Sequence, residues 1–127
     1  MITKRSRNFL LTMKTKSLKA KGRRLQGWFR DKLLEKFPDL DKDDVRSTSM
    51  GANGEDILLS SSARENFPFA IECKNQEQFS NVYTAYDQAV SHIQGGKNYP
   101  LLVIKINHRR PLIVIDVDDF FDYSVPF

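Results

Sequence analysis

Asp56, Glu72 and Lys74 stand in two short runs, Gly-Glu-Asp-Ile at 54–57 and Ile-Glu-Cys-Lys at 71–74. Two carboxylates on neighbouring strands can hold a hard divalent cation through oxygen atoms. A lysine two positions after the second carboxylate points to the same side of its strand. A cation so held polarises a phosphoryl oxygen and acidifies a bound water, while the ammonium orients that water or stabilises charge on the phosphate. The chemistry this trio points to is phosphodiester hydrolysis. Carboxylates followed by lysine also occur on solvated strand edges, where no chemistry follows. The surroundings argue against an edge, since Pro68-Phe-Ala-Ile-Glu-Cys-Lys74 is mostly apolar and Asp56 precedes Ile57, Leu58 and Leu59. Ionisable groups in such runs are costly unless paired or bound to a metal.

The elements that must position these residues are legible from periodicity. Leu25, Phe29, Leu33, Leu34 and Phe37 fall at i, i+4, i+8, i+9 and i+12, which predicts a helix from Lys19 to Phe37 with one apolar face. Pro38 and the acidic run Asp39–Asp44 end it. A short strand from Val45 enters a glycine-containing turn, and strands at 55–60 and 68–74, joined by a polar loop at 61–67, form an antiparallel hairpin carrying the trio. A second helix is expected over Glu77–Gln94, with Gly95-Gly96 as its stop. Leu101–Asn107 and Pro111–Val117 read as two more strands around His108-Arg-Arg110. The fold class is α/β (α+β), with a mixed central sheet flanked by helices.

At 127 residues, with 40% apolar and 28% charged content, the chain suits one soluble domain, read as 18–127 behind a basic arm at 1–17. No apolar run reaches the ~20 residues of a membrane span. A single cysteine excludes an internal disulfide and fits a reducing, cytoplasmic compartment, and two histidines leave no zinc constellation. Cys73 reads as a small core residue. Charge is unevenly placed. Residues 1–30 hold ten cations and no acid, so they carry +10 while the remainder of a +4 chain carries −6. Such a block attracts polyanions, unless it is only a solvated tail.

The succession of motifs resembles the PD-(D/E)XK nucleases, and within them the archaeal-type Holliday-junction resolvases and their phage-encoded relatives. The resemblance spans residues 21–107: Lys21-Gly-Arg-Arg24, Arg46-Ser-Thr-Ser-Met-Gly51 before Asp56, Ile71-Glu-Cys-Lys74, Asp87-Gln88, and Pro100-Leu-Leu-Val-Ile-Lys105. It implies a restriction-endonuclease-like core in which Asp56, Glu72 and the backbone carbonyl of Cys73 bind Mg2+, with Mn2+ as substitute. It makes Lys74 the catalytic lysine and matches Gln88 to a glutamine behind the active site; the alternative for Gln88 is a surface position away from the apolar stripe. Lys21, Arg23 and Arg24 would contact DNA. Gln26 stands where the family often has a glutamate, so a second metal would be held weakly unless Glu55 compensates.

Several residues stay open at this level. Ser47 and Ser49 would either donate to DNA phosphates or serve their own turn. Trp28 reads as partly buried beside Phe29, with base stacking as the alternative. Asp116, Asp118, Asp119 and Asp122 suggest another metal site, with charge repulsion near a sheet end or intersubunit pairing to the basic arm as the simpler readings. The function expected is a Mg2+-dependent DNA endonuclease, a structure-selective Holliday-junction resolvase acting as a homodimer. Its alternatives are a phage-type nuclease acting on fork, duplex or host DNA, and a DNA-binding module without catalysis.

Overall fold

The computed structural model describes residues 4–48, 55–78, 81–93 and 99–124, with side chains from residue 19 onward. Nine elements follow one another: α1 (Lys4–Lys36), β1 (Val45–Ser47), β2 (Ile57–Leu59), α2 (Ser61–Asn66), β3 (Phe69–Gln76), α3 (Val82–Ser91), β4 (Tyr99–Ile106), β5 (Leu112–Val114) and α4 (Val117–Ser124). The strands form one sheet in the order β1-β2-β3-β4-β5. Only β3 and β4 run parallel among these neighbours, with α3 as their crossover. A mixed sheet flanked by helices is thus the α+β arrangement expected. Among the described residues no helix is long and apolar enough to cross a membrane.

Strand alternation assigns side chains to two layers. Ile71 and Cys73 on β3, and Leu101 and Val103 on β4, join Leu25, Phe29 and Leu33 of α1 in the main core. Each of the three α1 anchors is nearly fully buried, which stabilises by roughly 1.5–3 kcal/mol apiece. Phe29→Ala alone would cost about 3–5 kcal/mol. The opposite face of β3 presents Ala70, Glu72 and Lys74, and with Leu102 of β4 it packs beneath Ala85 and Ala89 of α3.

Several boundaries differ from the periodicity reading, among them the expected strand Pro111–Val117, which spans only Leu112–Val114 before α4 opens at Val117. Helix α1 begins at Lys4, not Lys19, so residues 4–17 of the basic segment are helical and continuous with it. The stretch 4–18 holds three Lys, two Arg, three Leu and one Met, strong helix formers that need no apolar stripe. The expected polar loop at 61–67 holds α2, whose N-cap Ser60 accepts from the Ala63 amide at 3.1 Å and donates to Asp44 at 2.7 Å. Helix α3 starts later than Glu77, at the point where Asn81 accepts from the amides of Tyr83 and Thr84. The carboxyl-terminal aspartates belong to α4 and its cap, and burial together with repulsion from Asp116, Asp122 and Asp118 still raises the Asp119 carboxyl above its ordinary range. Asp116 caps α4 through the amides of Asp118 and Asp119 at 2.9 and 3.2 Å, and those two acids lie in its first turn, where the helix dipole favours them.

Candidate metal centre

The antiparallel pairing of Ile57 with Ile71 places Asp56 beside the centre of β3. Its amide donates to the Ile71 carbonyl at 3.0 Å, and its carboxylate Oδ2 accepts from the Cys73 amide at 2.7 Å. Thr48 fixes the other side of the loop by donating from both amide and hydroxyl to the Asp56 carbonyl. The backbone therefore clamps Asp56 from both neighbouring strands. One step along β3, Glu72 is 6% exposed, and two steps further Lys74 shares its face.

Charge is concentrated there without full compensation. Asp56 has its pKa raised to about 6, chiefly by burial, then by the Glu72 carboxylate, against the lowering effects of the Cys73 amide, Lys74 and His92. Lys74 Nζ lies 4.0 Å from Glu72 Oε1, a loose pair. The second oxygen of Glu72 meets His92 Nδ1 at 3.1 Å. An ionised carboxylate only accepts, so that imidazole nitrogen carries the hydrogen. Burial, followed by the Asp56 and Glu72 charges, pushes the Cys73 thiol well above its usual range, and Cys73 is buried in the core as a small apolar residue.

The donor set suits a hard cation. Asp56 and Glu72 supply carboxylate oxygens, and the Cys73 carbonyl shares the strand edge from which the Cys73 amide reaches Asp56. No three His, Cys, Asp or Glu side chains gather as a metal-holding group among the described residues. Two carboxylates and one carbonyl are what Mg2+ takes when it keeps several of its waters, whereas zinc or a calcium cage asks for more.

The other predicted residues are distributed as follows. Gln88 is exposed on α3 and its side chain makes no hydrogen bond among the described residues; its carbonyl accepts from Ser91. His92, at the C-cap of α3, is the residue of that helix that reaches Glu72. Its signal in the sequence is spacing: His92 follows the buried Ala85 and Ala89 at i+7 and i+3, on the face turned to the sheet. Gln26 is fully buried and accepts from the Ser47 hydroxyl at 2.7 Å, so Ser47 serves the fold in this state. Ser49 lies outside the described residues. Glu55 is largely withdrawn from solvent and pairs with the Arg64 guanidinium at 2.7 Å. Lys21, Arg23 and Arg24 lie on α1, across the sheet from the carboxylates, with Arg23 and Arg24 exposed. Compared with profiles of known families, with curated proteins and with solved structures, the chain matches none.

Proposed function

We propose that this chain is a divalent-metal-dependent DNA endonuclease of the PD-(D/E)XK type. The observation that carries the reading is the burial of Asp56 against Glu72, with Lys74 on the same face and an Asp56 pKa raised to about 6. Two carboxylates kept close in a partly dry site relieve their repulsion by binding a cation. Asp56, Glu72 and the Cys73 carbonyl would hold Mg2+ or Mn2+. When bound, the ion supplies Lewis acidity toward a phosphoryl oxygen and lowers the pKa of a coordinated water. Near neutral pH Asp56 is mostly ionised and able to serve as a ligand. Lys74 neutralises charge on the scissile phosphate or orients the attacking water. His92 holds the Glu72 carboxylate in place, as a hydrogen-bond partner outside the ligand set commonly does.

The basic α1 supplies the polyanion attraction, with Lys21, Arg23 and Arg24 beside the cations of residues 1–17. The finer proposal is a Holliday-junction resolvase. Cutting two symmetry-related strands calls for two sites related by a twofold axis, hence a homodimer. Exposed apolar residues on β5 and α4, among them Leu112, Ile113, Val117 and Phe120, offer surface for a second copy.

Labelled four-way junction, duplex and single-stranded DNA, each incubated with Mg2+ and with chelator, test both levels. Metal-dependent paired cuts near the branch point, with about tenfold or greater preference for the junction, support the resolvase. A monomer that nicks duplex at scattered positions would leave the nuclease and remove the resolvase. Absence of cleavage on every substrate would leave a DNA-binding module.

A further inference from the structure

Across the sheet from the carboxylates, α1 and the carboxyl ends of β3 and β4 enclose an open cavity of about 660 Å³. Its walls include Lys21, Arg24, Trp28, Asn75, Lys105 and His108, and no carboxylate lines it. We propose that this cavity binds one nucleotide, its phosphate at Arg24 and Lys105 and its base against Trp28.

The cavity is held open by the fold itself. Lys21 Nζ donates to Asn107 Oδ1 at 2.9 Å, and Asn75 Nδ2 donates to the Lys21 carbonyl at 3.0 Å. These bonds join residues 86 and 54 positions apart and fix α1 over the strand ends before any ligand arrives. Asn75 Oδ1 is buried with no hydrogen-bond partner among the described residues. Arg24 is exposed and has no ion-pair partner among the described residues. Among the described residues Lys105 donates to the neighbouring Ile106 carbonyl alone, at 3.2 Å, which leaves two of its protons for an anion.

The chemistry selects a nucleotide over a bare anion. The volume far exceeds a phosphate, and the apolar wall of Leu25, Trp28 and Pro111 asks for a flat apolar group beside the charge. Trp28 is 45% exposed, and Lys32 adds a further cation 5.4 Å from its ring centroid. An aromatic platform within a basic groove is the arrangement that takes unpaired bases without sequence preference. At the rim, His108 has φ 63°, a left-handed conformation that residues with side chains seldom adopt. Arg109 closes that turn on the Ile106 carbonyl at 3.2 Å, so the strain is locked in where the cavity ends. Lys74 and Asn75 are adjacent on β3 and point to opposite faces. The nucleotide held here is therefore not the one that meets the carboxylates.

The proposal goes beyond the nuclease reading and stands on the cavity's own residues. Trp28 is the only tryptophan in the chain, so its fluorescence reports on the cavity alone. The full chain is titrated in chelator with a short oligodeoxyadenylate, an abasic strand with the same number of phosphates, and deoxyadenosine monophosphate. The oligodeoxyadenylate should quench Trp28 and bind roughly tenfold more tightly than the abasic strand, the worth of one stacked base. Arg24→Gln and Lys105→Gln should each weaken binding several-fold, whereas Asp56→Asn should bind no more weakly. Quenching by the mononucleotide as well would name a free nucleotide as the ligand, and quenching by the oligonucleotide alone would name an unpaired strand. Equal affinity for the abasic strand, or unchanged binding in both cation variants, would overturn the proposal. Quenching without cleavage would remove the nuclease and keep the cavity, and cleavage without quenching would do the reverse.

Discussion

The two faces of the sheet carry opposite electrostatics. On the α3 side, Asp56 and Glu72 crowd negative charge into a partly dry pocket, and one of them titrates near pH 6 as a result. On the α1 side, Lys21, Arg24 and Lys105 line a cavity without a single acid. One strand serves both, because β3 sends Glu72 and Lys74 one way and Cys73 and Asn75 the other. A sheet of period two can thus hold a cation site and an anion site about one strand thickness apart. The contrast teaches why neither face neutralises the other: the packed layer between them keeps the carboxylates from reaching the cations.

The contrast breaks first at the carboxylates. Asp56→Asn or Glu72→Gln should reduce metal-dependent cleavage by at least ~100-fold while DNA affinity stays equal or rises, since each removes ligand charge and repulsion toward phosphate. Cleavage rates and binding isotherms of the two variants separate these effects. Lys74→Ala should lose most turnover with little change in affinity. Loss of affinity alone would recast the lysine as a phosphate anchor. On the basic side, deleting residues 1–17 removes five cations, and the slope of log affinity against log salt should fall by up to ~4–5 units if all of them touch duplex phosphate. The core should persist through that deletion, since the described anchors Leu25, Phe29 and Leu33 of α1 all lie beyond it.

Smaller effects sharpen the comparison. Asp56 has a folded pKa of about 6 against an ordinary 3.8, so the folded state binds the proton more tightly than the unfolded chain. The stability this contributes is fully present below about pH 4 and is lost as pH rises through 6. Asp56→Asn, a mimic of the protonated form, should therefore gain Tm over the wild type as pH rises through that window. Added Mg2+ should raise the wild-type Tm above pH 6 and leave the variant's unchanged, because only a bound ligand shifts the folding equilibrium. A wild-type Tm indifferent to both pH and metal would deny the charge crowding. Last, Ser47→Ala removes a 2.7 Å donor to the buried Gln26 and should cost about 1 kcal/mol in denaturant unfolding, with cleavage unaffected.

The carboxylate face was largely written in local sequence. Alternation set Glu72 and Lys74 on one side, and apolar runs around Asp56 and Glu72 marked buried strands. What escaped turned on polar residues. Helix α2 and helix α4 start at caps supplied by Ser60 and Asp116, and α4's acids both cap its first turn and repel one another. His92 escaped because apolar counting skips a polar residue, even one on the same helix face as Ala85 and Ala89. The cation cavity was invisible for another reason. Lys21, Asn75 and Lys105 come from three elements far apart in the chain, and only the parallel register of Asn75 with Lys105 brings two of them side by side.

The Lys21–Asn107 bond also sets an order of assembly. It spans 86 positions, and the Leu25–Phe29–Leu33 face of α1 finds part of its cover in Leu101 and Val103 of β4. Helix α1 packs chiefly on β3 and β1, so it can dock once β3 is made, whereas its bond to Asn107 and the cover from β4 must wait for the crossover that a parallel pair requires. The antiparallel pair around Ile57 and Ile71 needs no such delay. The carboxylate clamp, built on β2 and β3, thus needs less of the chain than the cation-lined cavity, whose wall is completed only when β4 brings Lys105 beside Asn75.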